Sequence, residues 1–126
     1  MTTPHLLGPD FVGFQVADLD AAARFYEDVL GLPVERRTAE AVVFATPTPF
    51  ALRLPLGLLD GPLGRGVAVW FAADDVAAMH RRLSETPGVV LRGAPTPGPF
   101  GLHFAAQDPF GHALVIHEAA PEERAA

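Results

Sequence analysis

The sequence predicts an α+β fold made of two tandem βαβββ modules, and three observations lead to this prediction. Residues 11–19 are matched 57 positions later by residues 68–76, so the chain carries an internal repeat. Each copy is a short apolar strand that runs into Asp and then into a helical pattern. Short apolar runs separated by Pro and Gly follow each helical pattern. One helix covers only one face of its sheet, so two modules side by side are expected to form a curved mixed sheet with helices outside and a central trough.

The first module spans about residues 9–56. Its first strand ends at Asp18, whose side chain can cap a helix, and apolar residues three and four positions apart follow as far as Gly31. Glycine at that point is typical of a helix C-terminus, because it adopts the left-handed backbone conformation without strain. Three further strands are expected, at roughly 33–38, 40–46 and 50–56.

The second module spans about residues 66–118 and repeats this order. Asp75 is expected to cap its helix, and Pro87-Gly88 to end it. Its further strands are expected at roughly 89–94, 100–107 and 112–118. The Gly- and Pro-rich stretch 57–65 is a predicted linker and residues 119–126 are a predicted frayed tail, so residues 1–126 are expected to form a single domain.

Composition excludes several kinds of chemistry and of partner. The 126 residues include no cysteine, so disulfides, thiolate metal sites and a cysteine nucleophile are excluded. All nine basic residues are arginine, which excludes lysine-dependent catalysis. The net charge of −6 opposes binding to nucleic acid or to anionic lipid. The apolar runs are too short to span a membrane, and the first residues do not resemble a secretory leader. We therefore expect a soluble cytoplasmic protein without a nucleic-acid or membrane partner.

Two motifs resemble those of the vicinal oxygen chelate superfamily. The first is the strand end Val16-Ala17-Asp18-Leu19-Asp20, followed by a helix that closes with Val29-Leu30-Gly31-Leu32. The second is Asp108-Pro109-Phe110-Gly111-His112, which is similar to the Asp-Pro-Asp-Gly-Asn hairpin of that superfamily. The resemblance covers about residues 9–118. It implies the fold more than the function, because the superfamily includes glyoxalase I, extradiol dioxygenases, fosfomycin resistance enzymes and metal-free bleomycin-binding proteins.

The resemblance also indicates where a metal would be bound. The superfamily's enzymes hold a divalent metal on four side chains, commonly His or Gln and Glu. By spacing from the two motifs, the corresponding positions here are Phe11, Arg53, Ala68 and Val115. These residues either lack a donor atom or carry a permanent positive charge. We therefore expect no metal or other cofactor at the usual site, assign no catalytic residue, and favour a protein that is not an enzyme.

Strand alternation from these positions indicates which side chains face the trough. The intervening residues, such as Phe14 and Phe71, are then expected in the core. Aromatic rings, small residues and a few polar groups would suit a planar, partly apolar ligand held by stacking. The predicted ligand-binding residues are Phe11, Gln15, Arg53, Trp70, His103, Val115 and His117.

Several of these residues also have a purely structural interpretation. Trp70 could serve packing alone, and Phe11 could seal the floor of a collapsed trough. An inward Arg53 should meet a carboxylate, a ligand anion or water. His103 and His117 are expected to lie opposite each other on paired strands, where they could form an unorthodox metal site or a general base, with Gln15 as the one further candidate ligand.

Together these observations predict metal-independent capture of an aromatic or amphipathic small molecule, such as an antibiotic, as in bleomycin-resistance-like relatives. The acidic net charge fits a cationic or amphipathic aromatic ligand. The resemblance implies a C2 homodimer in which a second copy completes the groove, and the sequence leaves open whether modules pair within one chain or between chains. One alternative is a glyoxalase- or dioxygenase-like enzyme with a relocated metal at His103 and His117. Another is a dimeric interaction module with a filled trough.

Overall fold

A computed structural model describes residues 4, 6–7, 9–56, 64, 66–99 and 101–119. The predicted linker 57–65, apart from Gly64, and the predicted tail beyond Ala119 lie outside the described residues. In chain order the elements are β1 (Val12–Gln15), α1 (Leu19–Arg24) with a π-helical segment (Phe25–Val29), β2 (Val34–Arg37), β3 (Ala41–Phe44), β4 (Phe50–Arg53), β5 (Ala68–Ala73), α2 (Val76–Ser84), β6 (Val90–Leu91), β7 (Thr96–Gly98), β8 (Gly101–Gln107) and β9 (Ala113–Glu118).

The strands form two mixed sheets, one in each module. The first sheet has four strands in the order β1-β4-β3-β2, and the second has five, in the order β5-β9-β8-β6 with β7 also paired to β8. In both sheets the first strand runs parallel to the last one of its module, and the remaining pairs are antiparallel. The predicted α+β fold with two tandem βαβββ modules is confirmed.

The predicted helix starts at Asp18 and Asp75 and the predicted stop of the first helix at Gly31 are confirmed, whereas α2 ends at Ser84 and not at Pro87-Gly88. The Asp18 side chain accepts a hydrogen bond from the Ala21 amide at 3.0 Å, and the Asp75 side chain accepts one from Ala78 at 2.9 Å. Gly31, just after the first helix, adopts a φ of 80°, the left-handed conformation that favours glycine at a helix C-terminus. Gly88, with a φ of 87°, lies in the turn that follows α2.

The first helix departs from the predicted regular α-helix. After Arg24 it widens into the π-helical segment, in which the Leu30 amide donates to the Phe25 carbonyl oxygen at 3.1 Å. The wider turn leaves the neighbouring side chains of Phe25 and Tyr26 both buried in the core. A pattern of three- and four-residue spacings does not distinguish this segment from a regular α-helix.

Two strands end three residues earlier than predicted. β4 ends at Arg53 instead of residue 56, because the Leu56 amide donates to Oε1 of Gln15 at 2.7 Å and not to a neighbouring strand. β6 ends at Leu91 instead of residue 94, because Gly93 turns the chain with a φ of 95°. The following residues form β7, which the sequence analysis did not predict.

One hydrophobic core joins the two modules. The ring of Phe71 on β5 lies 5.4 Å from that of Phe50 on β4 and 6.4 Å from that of Tyr26 in the π-helical segment. Phe14 and Leu114 are buried on the same side of their strands, as strand alternation predicts. The opposite face of the second sheet, which carries the half-exposed Trp70, therefore remains available for a binding surface. Within the described part of the chain, no helix is long and apolar enough to cross a membrane.

Candidate functional site

A buried polar network connects the two modules beneath the candidate site. The Tyr26 hydroxyl donates to Oδ2 of Asp108 at 2.7 Å, and Nδ1 of His112 lies 3.1 Å from the same oxygen. Oδ1 of Asp108 accepts from the amides of Phe110 and His112 at 2.9 and 2.8 Å. Nε2 of His112 lies 3.1 Å from the Gln15 carbonyl oxygen and donates to it, since a carbonyl oxygen can only accept. His112 therefore has a structural role.

The network also determines the charge state of Asp108. Burial raises the pKa of its carboxyl group, but hydrogen bonds from His112 and Tyr26 outweigh burial and hold the pKa below its usual value of 3.8. Burial, together with the nearby Asp108 carboxylate, raises the pKa of Tyr26 above its ordinary range. Asp108 is thus a buried carboxylate whose hydrogen bonds join the hairpin to the first helix, and His112 joins the hairpin to β1.

Trp70 is the central aromatic residue on the exposed face of the second sheet. It lies on β5 opposite Val115 of β9, and 48% of its surface is exposed. Its ring centroid is 6.3 Å from that of His103, with the rings tilted by 21°, and 6.0 Å from that of His117. The second module thus brings four of the seven predicted site residues onto one face: Trp70, His103, Val115 and His117.

The predicted pairing of the two histidines is confirmed, since His103 and His117 are register partners on β8 and β9. Their ring nitrogens, however, do not converge. Nδ1 of His117 lies 2.8 Å from the Glu118 carbonyl oxygen. The His103 ring lies over Gly98 of β7, and its Nδ1 atom is buried without a hydrogen-bond partner in the described structure.

The residues present do not fit the divalent metal of the superfamily's enzymes. The four usual positions carry Phe11, Arg53, Ala68 and Val115. Across the described ranges, no group of three or more His, Asp or Glu side chains is placed to hold a metal ion. The one further ligand considered for the histidine pair, Gln15, instead accepts from the Leu56 amide through its side-chain oxygen.

The other three predicted site residues belong to the first module. Phe11 precedes β1 and is 51% exposed, with its ring 3.8 Å from the position of a Cβ on Gly13. Gln15 and Arg53 are register partners on β1 and β4. Nε of Arg53 donates to the Leu54 carbonyl oxygen at 3.0 Å, and among the described residues Arg53 forms no ion pair with an acidic side chain.

A cavity of about 560 Å³ lies between the two modules beside Trp70. Trp70, Ala72 and His117 line it from the second module, and the turn at residues 46–49 lines it from the first. Phe11, Gln15, Arg53, His103 and Val115 do not line it. Residues 46–49 were not predicted as part of the site, although two prolines in four residues indicate a stiff wall.

Two further residues of this face were missed. Gly98 lies beneath the His103 ring, and no sequence signal identified the contact because β7 itself was not predicted. Arg92 follows β6 and lines a second cavity on the same face. Strand alternation continued from Val90 would have placed Arg92 on that face.

Replacing Gly98 with Ala is expected to displace His103 and to change the emission of Trp70. The new Cβ would lie 2.6 Å from two atoms of the His103 ring, so the ring must move, at a cost of about 1–3 kcal/mol of stability. Tryptophan fluorescence and thermal denaturation measure the two effects. Gly13→Ala is the matched control, because its Cβ would make an ordinary 3.8 Å contact. Unchanged emission in Gly98→Ala would contradict the stacked arrangement of Trp70 and His103.

The fold of two tandem βαβββ modules is that of the vicinal oxygen chelate class. The chain belongs to the Glyoxalase/Bleomycin resistance protein/Dioxygenase superfamily, whose family model matches residues 8–116. This confirms the resemblance seen in the two sequence motifs. None of the curated proteins matches the chain.

Solved structures show the same fold at low sequence identity. A glyoxalase-related enzyme from Fulvimarina pelagi is 24% identical, with a TM-score of 0.72 over 90% of this chain and 89% of that one. A glyoxalase/bleomycin resistance protein from Albidiferax ferrireducens T118 is 20% identical, with a TM-score of 0.69 over 88% and 98%. A protein of unknown function from Agrobacterium tumefaciens str. C58 is 23% identical, with a TM-score of 0.71 over 95% and 98%. At these identities the likeness establishes the fold alone.

Proposed function

We propose that this protein captures an aromatic or amphipathic small molecule, such as an antibiotic, without a metal and without turnover. The observation that carries the proposal is the half-exposed indole of Trp70, set beside two imidazole rings and next to a cavity of about 560 Å³. A cavity of that size accommodates a drug-sized ligand. Stacking on such a ring contributes about 0.5–1.5 kcal/mol beyond the burial of apolar area.

The donor chemistry favours capture over catalysis. A relocated metal at His103 and His117 needs at least one further protein ligand, and the side chain of Gln15 is engaged with Leu56. The open cavity beside Trp70 also argues against a trough filled by its own side chains. Binding in the cytoplasm, as expected from the sequence, would protect a cell by stoichiometric removal of the molecule.

The proposal includes a C2 homodimer. Phe11 belongs to the first module and Trp70 to the second, and each leaves about half of its surface exposed. A two-fold axis could bring the first sheet of one copy opposite the second sheet of the other, so that both sets of predicted residues line each of two equivalent sites. Sedimentation of the full chain, with and without the bound molecule, measures this assembly.

Titration with a panel of aromatic natural-product antibiotics is expected to quench Trp70 emission saturably, with one molecule bound per chain and recovered unchanged. The chain has a single tryptophan, so the signal reports this position alone. Calorimetry is then expected to show that Trp70→Ala weakens binding about tenfold to a hundredfold, whereas Leu7→Ala, at a 97% exposed apolar residue, has no effect. Consumption of the bound molecule would support the enzyme alternative. Emission insensitive to the whole panel would support the filled trough.

A further inference from the structure

The exposed face of the second sheet continues past Trp70 into a second cavity, of about 370 Å³. Its floor consists of small apolar side chains, and two polar residues, Gln107 and Arg92, line it. Val115 belongs to this floor and is also the register partner of Trp70. The rings of Trp70, His103 and His117 and the second cavity are therefore neighbouring parts of one surface. The floor residues are Ala68, Ala105, Ala113 and Val115.

Arg92 supplies positive charge to this cavity. Its backbone amide donates to the Ala105 carbonyl oxygen at 3.0 Å, which fixes the residue beside β8 at the edge of the sheet. Its side chain is exposed and lines the cavity. Among the described residues, no carboxylate lines the cavity and none forms an ion pair with Arg92. A guanidinium in such surroundings attracts an anion, which it can bind through two parallel hydrogen bonds.

The spacing of Trp70 and Arg92 suits a single ligand. Trp70 lies opposite Val115, Val115 opposite Ala105, and Ala105 beside Arg92. Three strand spacings separate the two Cα atoms, a distance of about 14 Å. Arg92 lines the second cavity, and the Trp70 ring reaches across β9 to within 6.3 Å of the His103 ring on β8, so the gap that a ligand must bridge is shorter than the distance between the Cα atoms.

We infer that the captured molecule is an aromatic anion, with its ring system stacked on Trp70 and its carboxylate, sulfonate or phosphate paired with Arg92. This inference rests on the proposed function and specifies the ligand class of the same site. It differs from the cationic ligand that the net charge of −6 suggests. Net charge acts over the whole surface and is screened within about 10 Å in salt, whereas Arg92 acts at contact distance.

Two fluorescent probes of the same ring system test the ligand class. One is 1-anilinonaphthalene-8-sulfonate, and the other is N-phenyl-1-naphthylamine, which lacks the sulfonate. The wild-type protein is expected to bind the sulfonate about five- to tenfold more tightly, at one molecule per chain and with quenching of Trp70. Arg92→Gln is expected to remove this preference without changing the affinity for the neutral probe, and Arg92→Lys to retain part of it. Arg81→Gln on the exposed side of α2 is the control for the same change in net charge.

The outcomes separate this inference from the proposed function. If both probes quench Trp70 with equal affinity and Arg92→Gln alters neither, the anionic class is wrong and the aromatic site stands. If Arg81→Gln lowers the affinity for the sulfonate probe as much as Arg92→Gln does, the preference reflects overall charge and the inference is overturned. If neither probe affects Trp70, the aromatic site fails and the inference fails with it. Unchanged circular dichroism and melting temperature confirm that each variant is folded.

Discussion

Replacing Asp108 with Ala is expected to lower the free energy of unfolding by about 3–5 kcal/mol. The carboxylate is 2% exposed and accepts hydrogen bonds from the Tyr26 hydroxyl and from the amides of Phe110 and His112. Alanine leaves these donors buried without an acceptor, and leaves the ring of His112 without its carboxylate partner. Urea denaturation measures the loss as a lower midpoint with an unchanged slope.

A control variant and a pH measurement accompany this prediction. Asp10→Ala removes an exposed carboxylate and is expected to change stability by less than about 0.5 kcal/mol. Because the pKa of folded Asp108 is below its unfolded value, its contribution is present above about pH 4 and is lost as the pH falls through the folded value. Asp108→Ala should therefore lose part of the acid sensitivity of the wild type. A variant as stable as the wild type at pH 7 would show that the network does not hold the modules together.

Replacing Phe14 with Ala is expected to lower the free energy of unfolding by a similar amount, about 3–5 kcal/mol. Its ring is 5% exposed and lies 4.3 Å from the His112 ring in a stacked arrangement, 5.2 Å from Phe50 and 6.2 Å from Tyr26. The substitution leaves a cavity where β1 meets the second module. Urea denaturation again provides the measurement.

The matched control for Phe14 is Phe11, a phenylalanine close by in the chain. Phe11 is 51% exposed, so Phe11→Ala is expected to cost less than about 1 kcal/mol. The two variants thus compare one residue type at a buried and an exposed position. Equal losses of stability would contradict the assignment of these positions to opposite sides of the first sheet.

The core and the candidate site are coupled through strand alternation. On β5, Phe71 packs into the core shared by the modules, while its neighbour Trp70 points to the exposed face. On β9, Ile116 is buried between Val115 and His117, which are partly exposed. The packing that stabilises the modules therefore also holds the aromatic side chains of the site in place.

Much of the fold could be predicted because its signals are local in the chain. The side chains of Asp18 and Asp75 each cap a helix by accepting a hydrogen bond from the backbone amide three residues later. Gly31 and Gly88 adopt the left-handed backbone conformation that glycine tolerates best. The pairing of His103 with His117 follows from a short hairpin and two-residue alternation. The π-helical segment and β7 escaped prediction, since tertiary packing selects both over the regular pattern.

The candidate site was predictable only in part. Alternation placed Trp70, His103, Val115 and His117 on one face, as the structure has them. It could not show that Gln15 and Arg53 would bond to the backbone just after β4, because those acceptors and donors become neighbours only when the chain leaves the sheet. Nor could it show that residues 46–49 form one wall of a cavity beside Trp70.

The sequence by itself determined the repeat, the helix caps, the superfamily and the face of each strand, because these depend on residues a few positions apart. It also determined that the usual metal positions lack suitable donors. Only the tertiary structure decided how the modules meet through Tyr26, Asp108 and His112, and that Arg92 shares a surface with Trp70. The physical reason is that packing and hydrogen bonding between distant segments depend on three-dimensional distance, which local periodicity does not encode.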